Sequence, residues 1–195
     1  MKAVICTKYG PPEVLKQIEI DKPVPKDSEV LIKIHATTVN AADARVRGAV
    51  FPPLFNLPVR LALGFKGPRK GVLGVELAGE IESVGKNVTK FKVGDKIFAS
   101  TGARFGAHTE FTSLSEKEIM AIMPSNMTYE EAASVPHCAL AALYFLQKAN
   151  ISKGKKVLIY SASGGIGTFS VQIAKSLGAE VTGVCSTANV KLVKS

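Results

Sequence analysis

The chain has 195 residues, 46% of them hydrophobic and 21% charged, with a formal net charge of +9. That length suits one or two domains, and the composition is an ordinary soluble globular one that can bury a real core. The positive residues are scattered, densest at 69–71 with Lys66 nearby, which argues against nucleic acid as the main partner. Cys6, Cys138 and Cys185 are an odd, widely spaced set without a CxxC pair, which excludes a disulfide framework and a cysteine zinc cluster.

The start, MKAVICTKYG, has no apolar signal-peptide core before Lys8. Residues 1–125 then read as β-rich. AVIC (3–6), VLKQIEI (14–20) and EVLIKIHAT (29–37) are short β-branched runs, separated by the turn signals GPPE and DKPVPKDS. VLGVELAGEIESVG (72–85), DKIFAS (95–100), AHTEFTSL (107–114) and IMAIM (119–123) continue the pattern, with glycines in the first that permit a bend. Many short strands at near-regular spacing predict a small barrel or sandwich. Segment 51–70, FPPLFNLPVRLALGFKGPRK, fits neither a strand nor a helix pattern. It reads as a packed loop, or as a substrate-pocket loop or membrane-brushing insert.

From residue 126 the pattern changes. Thr128-Tyr129-Glu130-Glu131 is a capping box, which predicts a helix that Pro136 ends or kinks. AALYFLQKA (141–149) predicts a second helix. KKVLIY, a glycine turn, a helix over about 165–177 and AEVTGVC then make one βαβ unit with parallel strands. The longest uncharged runs, 132–147 and 157–174, are poor membrane spans, so no membrane partner and a cytoplasmic location are expected.

The turn SASGGIGT (161–168) carries the chemistry. Read against G-x-G-x-x-G, it gives Ala162, Ser163, Gly164, Gly165, Ile166 and Gly167, with Ala162 in place of the first glycine. Gly164 lets the backbone approach a pyrophosphate, and Gly167 permits close helix–strand packing. The helix that follows aims its free N–H groups at the phosphates. The alternative is a purely structural strand–helix turn. About twenty residues on, where NAD sites place Asp or Glu, this chain has Ser186, Thr187 and Lys191 and no carboxylate. Hydroxyls and a cation suit a 2′-phosphate, so the cofactor is read as NADPH over NADH. Ser186 and Thr187 could also cap the next helix.

The order of these parts resembles the medium-chain dehydrogenase/reductase superfamily. VGKNVTKFKVGDKIFA (84–99) resembles its V-G-x-x-V-x-x-F-x-x-G-D-x-V segment, GVELAGEIESVG (74–85) its G-x-E-x-x-G-x-V segment, and the stretch from Lys155 to Thr187 the cofactor loop of its quinone oxidoreductase branch. The resemblance implies an α/β chain with a β-rich part: a GroES-like β-barrel domain over 1–125, followed over 126–195 by linking helices and an incomplete Rossmann domain. Zinc alcohol dehydrogenases of this superfamily carry Cys where this chain has Asn40 and His where it has Val75. A third ligand aligns roughly with Cys138, and one cysteine cannot hold catalytic zinc. The spacing of His35, His108 and His137 restores no metal site. The resemblance therefore implies no metal.

Without zinc, a quinone or enone is the implied hydride acceptor, its oxyanion met by hydrogen-bond donors. Asn40 is the implied donor and Asp43 orients its loop; the alternative for both is a side-chain-stabilised turn. Ala49-Val50-Phe51 stands where many relatives have a Tyr. A full dinucleotide domain has about six parallel strands, and this chain offers two, so little or no turnover is expected of it alone. The superfamily commonly pairs into homo-oligomers. A zinc-type alcohol dehydrogenase and a non-catalytic binding module are the competing readings.

Overall fold

The computed structural model describes residues 1–69 and 71–194. Lys70, within the basic cluster at 69–71, lies outside them. The chain divides into two compact units, 1–134 and 135–195, and each is described by itself.

The first unit is built on strands. β1 (Lys2–Cys6) and β2 (Leu15–Glu19) form an antiparallel pair. β3 (Glu29–Thr37), β4 (Glu76–Val84), β5 (Lys96–Ser100), β6 (Phe111–Ser115) and β7 (Met120–Ile122) make a five-stranded antiparallel sheet in the order β6-β3-β4-β5-β7. Isolated bridges, Ala3 to Thr109 and Ile5 to Val72, tie β1 to the rest of the unit. All seven expected strands are present.

The central strands explain the core. Val30, Leu31 and Ile32 of β3 are buried in succession, as are Glu76, Leu77 and Ala78 of β4, because both faces of these strands are covered. Val30, Ile32, Leu77, Ile81, Ile97 and Leu114 pack into one cluster. Burying each such side chain contributes about 1.5–3 kcal/mol. Gly79 sits where β4 presses on β3: a Cβ there would run into the Lys33 carbonyl oxygen.

In the first unit, helices depart from expectation in three places. α1 (Ala41–Gly48) occupies the segment read as a loop around Asn40 and Asp43. Its apolar signal is weak, and its capping box uses Asn and Asp in place of Thr and Glu. α2 (Pro53–Leu63) occupies much of the segment read as a loop. Its prolines stand at the first turn and at Pro58, so a Pro-rich composition concealed a helix. α3 (Tyr129–Ala133) starts at the Thr128 capping box as expected, but it packs on β3, β4 and β5. Ala132 and Ala133 pack with Ala78, and Tyr129 stacks on His35 at 4.4 Å between ring centroids. The compact first unit therefore runs to Ser134, past the expected boundary at 125.

In the second unit, Pro136 starts a helix where an end or kink was expected: α4 (Pro136–Lys148) carries it in the first turn, where no N–H is needed. β8 (Lys156–Tyr160), α5 (Gly165–Ser176) and β9 (Glu180–Val184) form the βαβ unit, with the two strands parallel and Lys156 opposite Glu180. A 3₁₀ turn over Thr187–Asn189 leads into α6 (Val190–Lys194). Leu146, Ile159, Ala162 and Ala174 form this unit's own core.

Candidate functional site

Two constellations hold the expected site residues, one in each unit. The first surrounds Asn40. Its extended backbone makes it the N-cap of α1, and its Oδ1 accepts from the Ala42 N–H at 2.8 Å and the Asp43 N–H at 3.4 Å. Asp43 answers: its Oδ2 accepts from the Asn40 N–H at 3.0 Å and its Oδ1 from the Gly74 N–H at 3.0 Å. Asp43 is only 4% exposed, so both oxygens hold backbone in place: one at the helix start, the other at the entry to β4. The role of orienting the Asn40 segment is the one this geometry can perform.

Sequence reasoning assigned no role to Glu76. It is 2% exposed, and its Oε2 accepts from the Thr38 hydroxyl at 2.6 Å and from Asn40 Nδ2 at 3.3 Å. A buried carboxylate flanked by two donors is a high-stakes network, costly to leave half satisfied. These contacts also set the Asn40 amide orientation. Backbone donors face Oδ1 and a carboxylate faces Nδ2, so the flipped amide would place donor against donor and acceptor against acceptor. The buried polar position 76 inside an apolar run was the available signal.

Two of the three histidines, His108 and His35, serve the frame. His108 Nε2 lies 3.0 Å from the Thr38 carbonyl oxygen, and His35 stacks on Tyr129. Among the described residues no group of three His, Cys, Asp or Glu side chains is placed to hold a metal ion. A cavity of about 580 Å³ in the first unit is lined by Ile34, Ala36, Val39, Leu73 and Asp43 among others. Asn40 and Glu76 do not line it.

The second constellation is the glycine turn. Ser161 has φ of 60°, a left-handed conformation that turns the chain out of β8. The Gly164 N–H donates to the Ser161 carbonyl at 3.0 Å, closing the turn. Ala162, fully buried, takes the first glycine's place, and its N–H donates to the Val184 carbonyl at 2.9 Å. A Cβ at Gly167 would meet the Ser161 carbonyl oxygen and the Ala162 backbone, so close helix–strand packing requires glycine there. At Gly165 a Cβ would come within 2.8 Å of Cys138 Sγ.

The helix starts differ. α1 and α3 both begin with capping boxes that satisfy their first N–H groups. α2 and α4 lack a side-chain cap but open on proline, which has no N–H. α5, with Gly164 as its N-cap, also lacks a side-chain cap and opens on Gly165, Ile166 and Gly167, whose N–H groups and positive dipole end suit an anion. Ser163 and Ile166 belong to the same turn, and Ile166 is exposed.

At the far end of β9, Ser186, Thr187 and Lys191 are all exposed. Ser186 stands at the N-cap position of the 3₁₀ turn, but its side chain makes no capping hydrogen bond. Residues 181–195 contain no Asp or Glu. Asn189, which sequence reasoning passed over, donates from Nδ2 to Ser163 Oγ at 3.1 Å. This bond links the segment after β9 to the glycine turn across a sequence separation that no local pattern reports. The donor set therefore fits a dinucleotide: N–H groups for a pyrophosphate, hydroxyls and an ammonium beyond the second strand.

Comparison with known proteins bears on this geometry. The family model of the alcohol dehydrogenase GroES-like domain matches residues 26–143. The quinone oxidoreductase of Sus scrofa is 33% identical over 190 residues, covering 96% of this chain and 53% of that protein. The Escherichia coli quinone oxidoreductase solved with NADPH superposes with a TM-score of 0.83 at 27% identity, covering 100% of this chain and 56% of that one. CurK enoyl reductase superposes with a TM-score of 0.85 at 26% identity, covering 99% and 56%. The chain thus spans about half the length of the relatives it matches.

Proposed function

This chain belongs to the medium-chain dehydrogenase/reductase superfamily, in its quinone oxidoreductase-like branch with a GroES-like domain, and from that premise we propose an NADPH-dependent reduction of a quinone, enone or related conjugated carbonyl, without zinc. The observation that carries the reading is the α5 N-terminus, opened on glycine where α1 and α3 are capped by side chains and α2 and α4 start on proline. The names of the relatives, quinone oxidoreductase and enoyl reductase, support the substrate class.

When bound, NADPH would supply the hydride from its nicotinamide ring. Gly164, Gly165, Ile166 and Gly167 would hold the pyrophosphate through backbone N–H groups, beside Ala162 and Ser163. Ser186, Thr187 and Lys191 would hold the 2′-phosphate by charge-assisted hydrogen bonds. Asn40 would present an amide donor to the developing oxyanion, its orientation set by Glu76 and its backbone by Asp43. Asn40 replaces a metal ligand with a neutral amide, and Val75 offers no donor atom, which supports chemistry without zinc.

We expect the 195-residue chain to bind cofactor with little or no turnover, because its described parallel sheet has two strands where a full dinucleotide domain has about six. Titration of the folded chain with NADPH and NADH, followed by cofactor fluorescence, tests the reading. Selective NADPH binding is expected. Equal affinity for both would remove the 2′-phosphate assignment, and no binding by a folded chain would overturn the cofactor site.

A further inference from the structure

We propose that α2 is an interfacial helix that docks the first unit on an anionic lipid surface. One side of α2 is anchored: Leu63 and the preceding Phe51 pack against the buried cluster of Cys6, Val14, Val46 and Leu73. The other side is apolar and bare. Leu54, Leu57 and Leu61 lie at i, i+3 and i+7, one stripe of a helix, and are 82%, 60% and 54% exposed. Phe65, just past the helix, is exposed as well. A contiguous apolar stripe of this kind is out of place in contact with water.

Charge selects the partner. From Ala44 to Val75 the sequence contains no Asp or Glu, while it contains Arg45, Arg47, Arg60, Lys66, Arg69 and Lys70. Lys66 and Arg69 are exposed directly after α2. The turn bearing them is held against the helix end: the Arg69 N–H donates to the Leu63 carbonyl at 2.6 Å, and the Tyr9 hydroxyl to the Gly64 carbonyl at 2.7 Å. Leucines and a phenylalanine bordered by cations, in a sequence stretch without a carboxylate, match an interfacial helix on anionic lipid. No helix among the described residues is long and apolar enough to cross a membrane, so the attachment is to a surface. Such attachment departs from the expectation of no membrane partner. This proposal does not rest on the cofactor reading.

Co-flotation of the full chain, without cofactor, tests it on vesicles of phosphatidylcholine alone and with about one-third phosphatidylserine. Binding is expected to the mixed vesicles, weaker by at least about tenfold on the neutral ones and falling as salt rises. Leu57→Asn with Leu61→Asn, and separately Lys66→Glu with Arg69→Glu, should each lower binding about tenfold or more. All four positions are exposed, and unchanged circular dichroism would verify folding. Failure of the wild-type chain to bind, or binding indifferent to either double substitution, overturns the proposal. Self-association that the leucine substitutions dissolve, without vesicle binding, also overturns it and assigns the face to a second copy of the chain.

Discussion

Asn40 donates its side-chain amide to the buried Glu76 carboxylate at 3.3 Å while its carbonyl oxygen caps α1. One residue therefore serves the helix start with one atom and the buried charge with another. The structural and the proposed catalytic roles of Asn40 are not alternatives, and substitution can separate them.

Asn40→Ala should destabilise the folded chain by about 1 kcal/mol, the usual cost of losing an N-cap. Asn40→Ser keeps an oxygen at the cap and should recover most of that loss, while leaving Glu76 without its amide donor. Chemical denaturation of both variants checks the order. Equal losses would show that the cap does not carry the effect.

Glu76→Ala should cost more, about 2–3 kcal/mol, because the Thr38 hydroxyl and the Asn40 amide both lose a buried acceptor. Glu76→Gln retains an acceptor of the same shape and should fall between Ala and wild type. Urea midpoints of the two variants measure this.

Gly167→Ala should destabilise by about 1–3 kcal/mol, since the added methyl must displace the Ser161 carbonyl or lift α5 off β8. It should also abolish NADPH binding if the turn is the pyrophosphate site. Thermal unfolding and cofactor fluorescence report the two effects independently.

Lys191→Glu should lower NADPH affinity about tenfold, corresponding to one charge-assisted contact of about 1.4 kcal/mol. NADH affinity should change much less. A parallel loss for both cofactors would remove Lys191 from the 2′-phosphate site.

Glu116 offers a pH test. Its carboxylate accepts from the Thr89 N–H at 2.8 Å and the Lys90 N–H at 3.0 Å, which hold its pKa below the ordinary glutamate value of 4.5. A folded-state value below the unfolded one stabilises the fold above pH 4.5, and that contribution is lost as the pH falls through the lowered value. Glu116→Gln should therefore be less stable than wild type at neutral pH. The difference should shrink below pH 4.5 and vanish once the wild-type carboxyl is protonated. A gap independent of pH would refute the assignment.

The strands and the βαβ unit were legible because their signals are local. β-branched runs between Gly and Pro turns mark β1 to β7, and SASGGIGT lies between an apolar strand and an apolar helix. The capping box at Thr128 marked α3 for the same reason. Asn40 and the glycine turn were legible as candidates because residue type and family pattern coincide there. α1 was not, since its stripe is short and Asn40-Asp43 caps it with a less familiar pair. α2 was hidden by three prolines that its first turn and middle accommodate. Glu76, the partner of Asn40, stands thirty-six residues away, and Asn189, the partner of Ser163, twenty-six. Pairing at such distances is made by strand register and turn closure, and no sequence window contains it. The sequence by itself determined the strands and the strand–glycine turn–helix unit, because each depends on neighbours along the chain. Only the tertiary structure decided which polar groups share an acceptor, which helix packs with which sheet and which leucines remain in water, because those depend on neighbours in space.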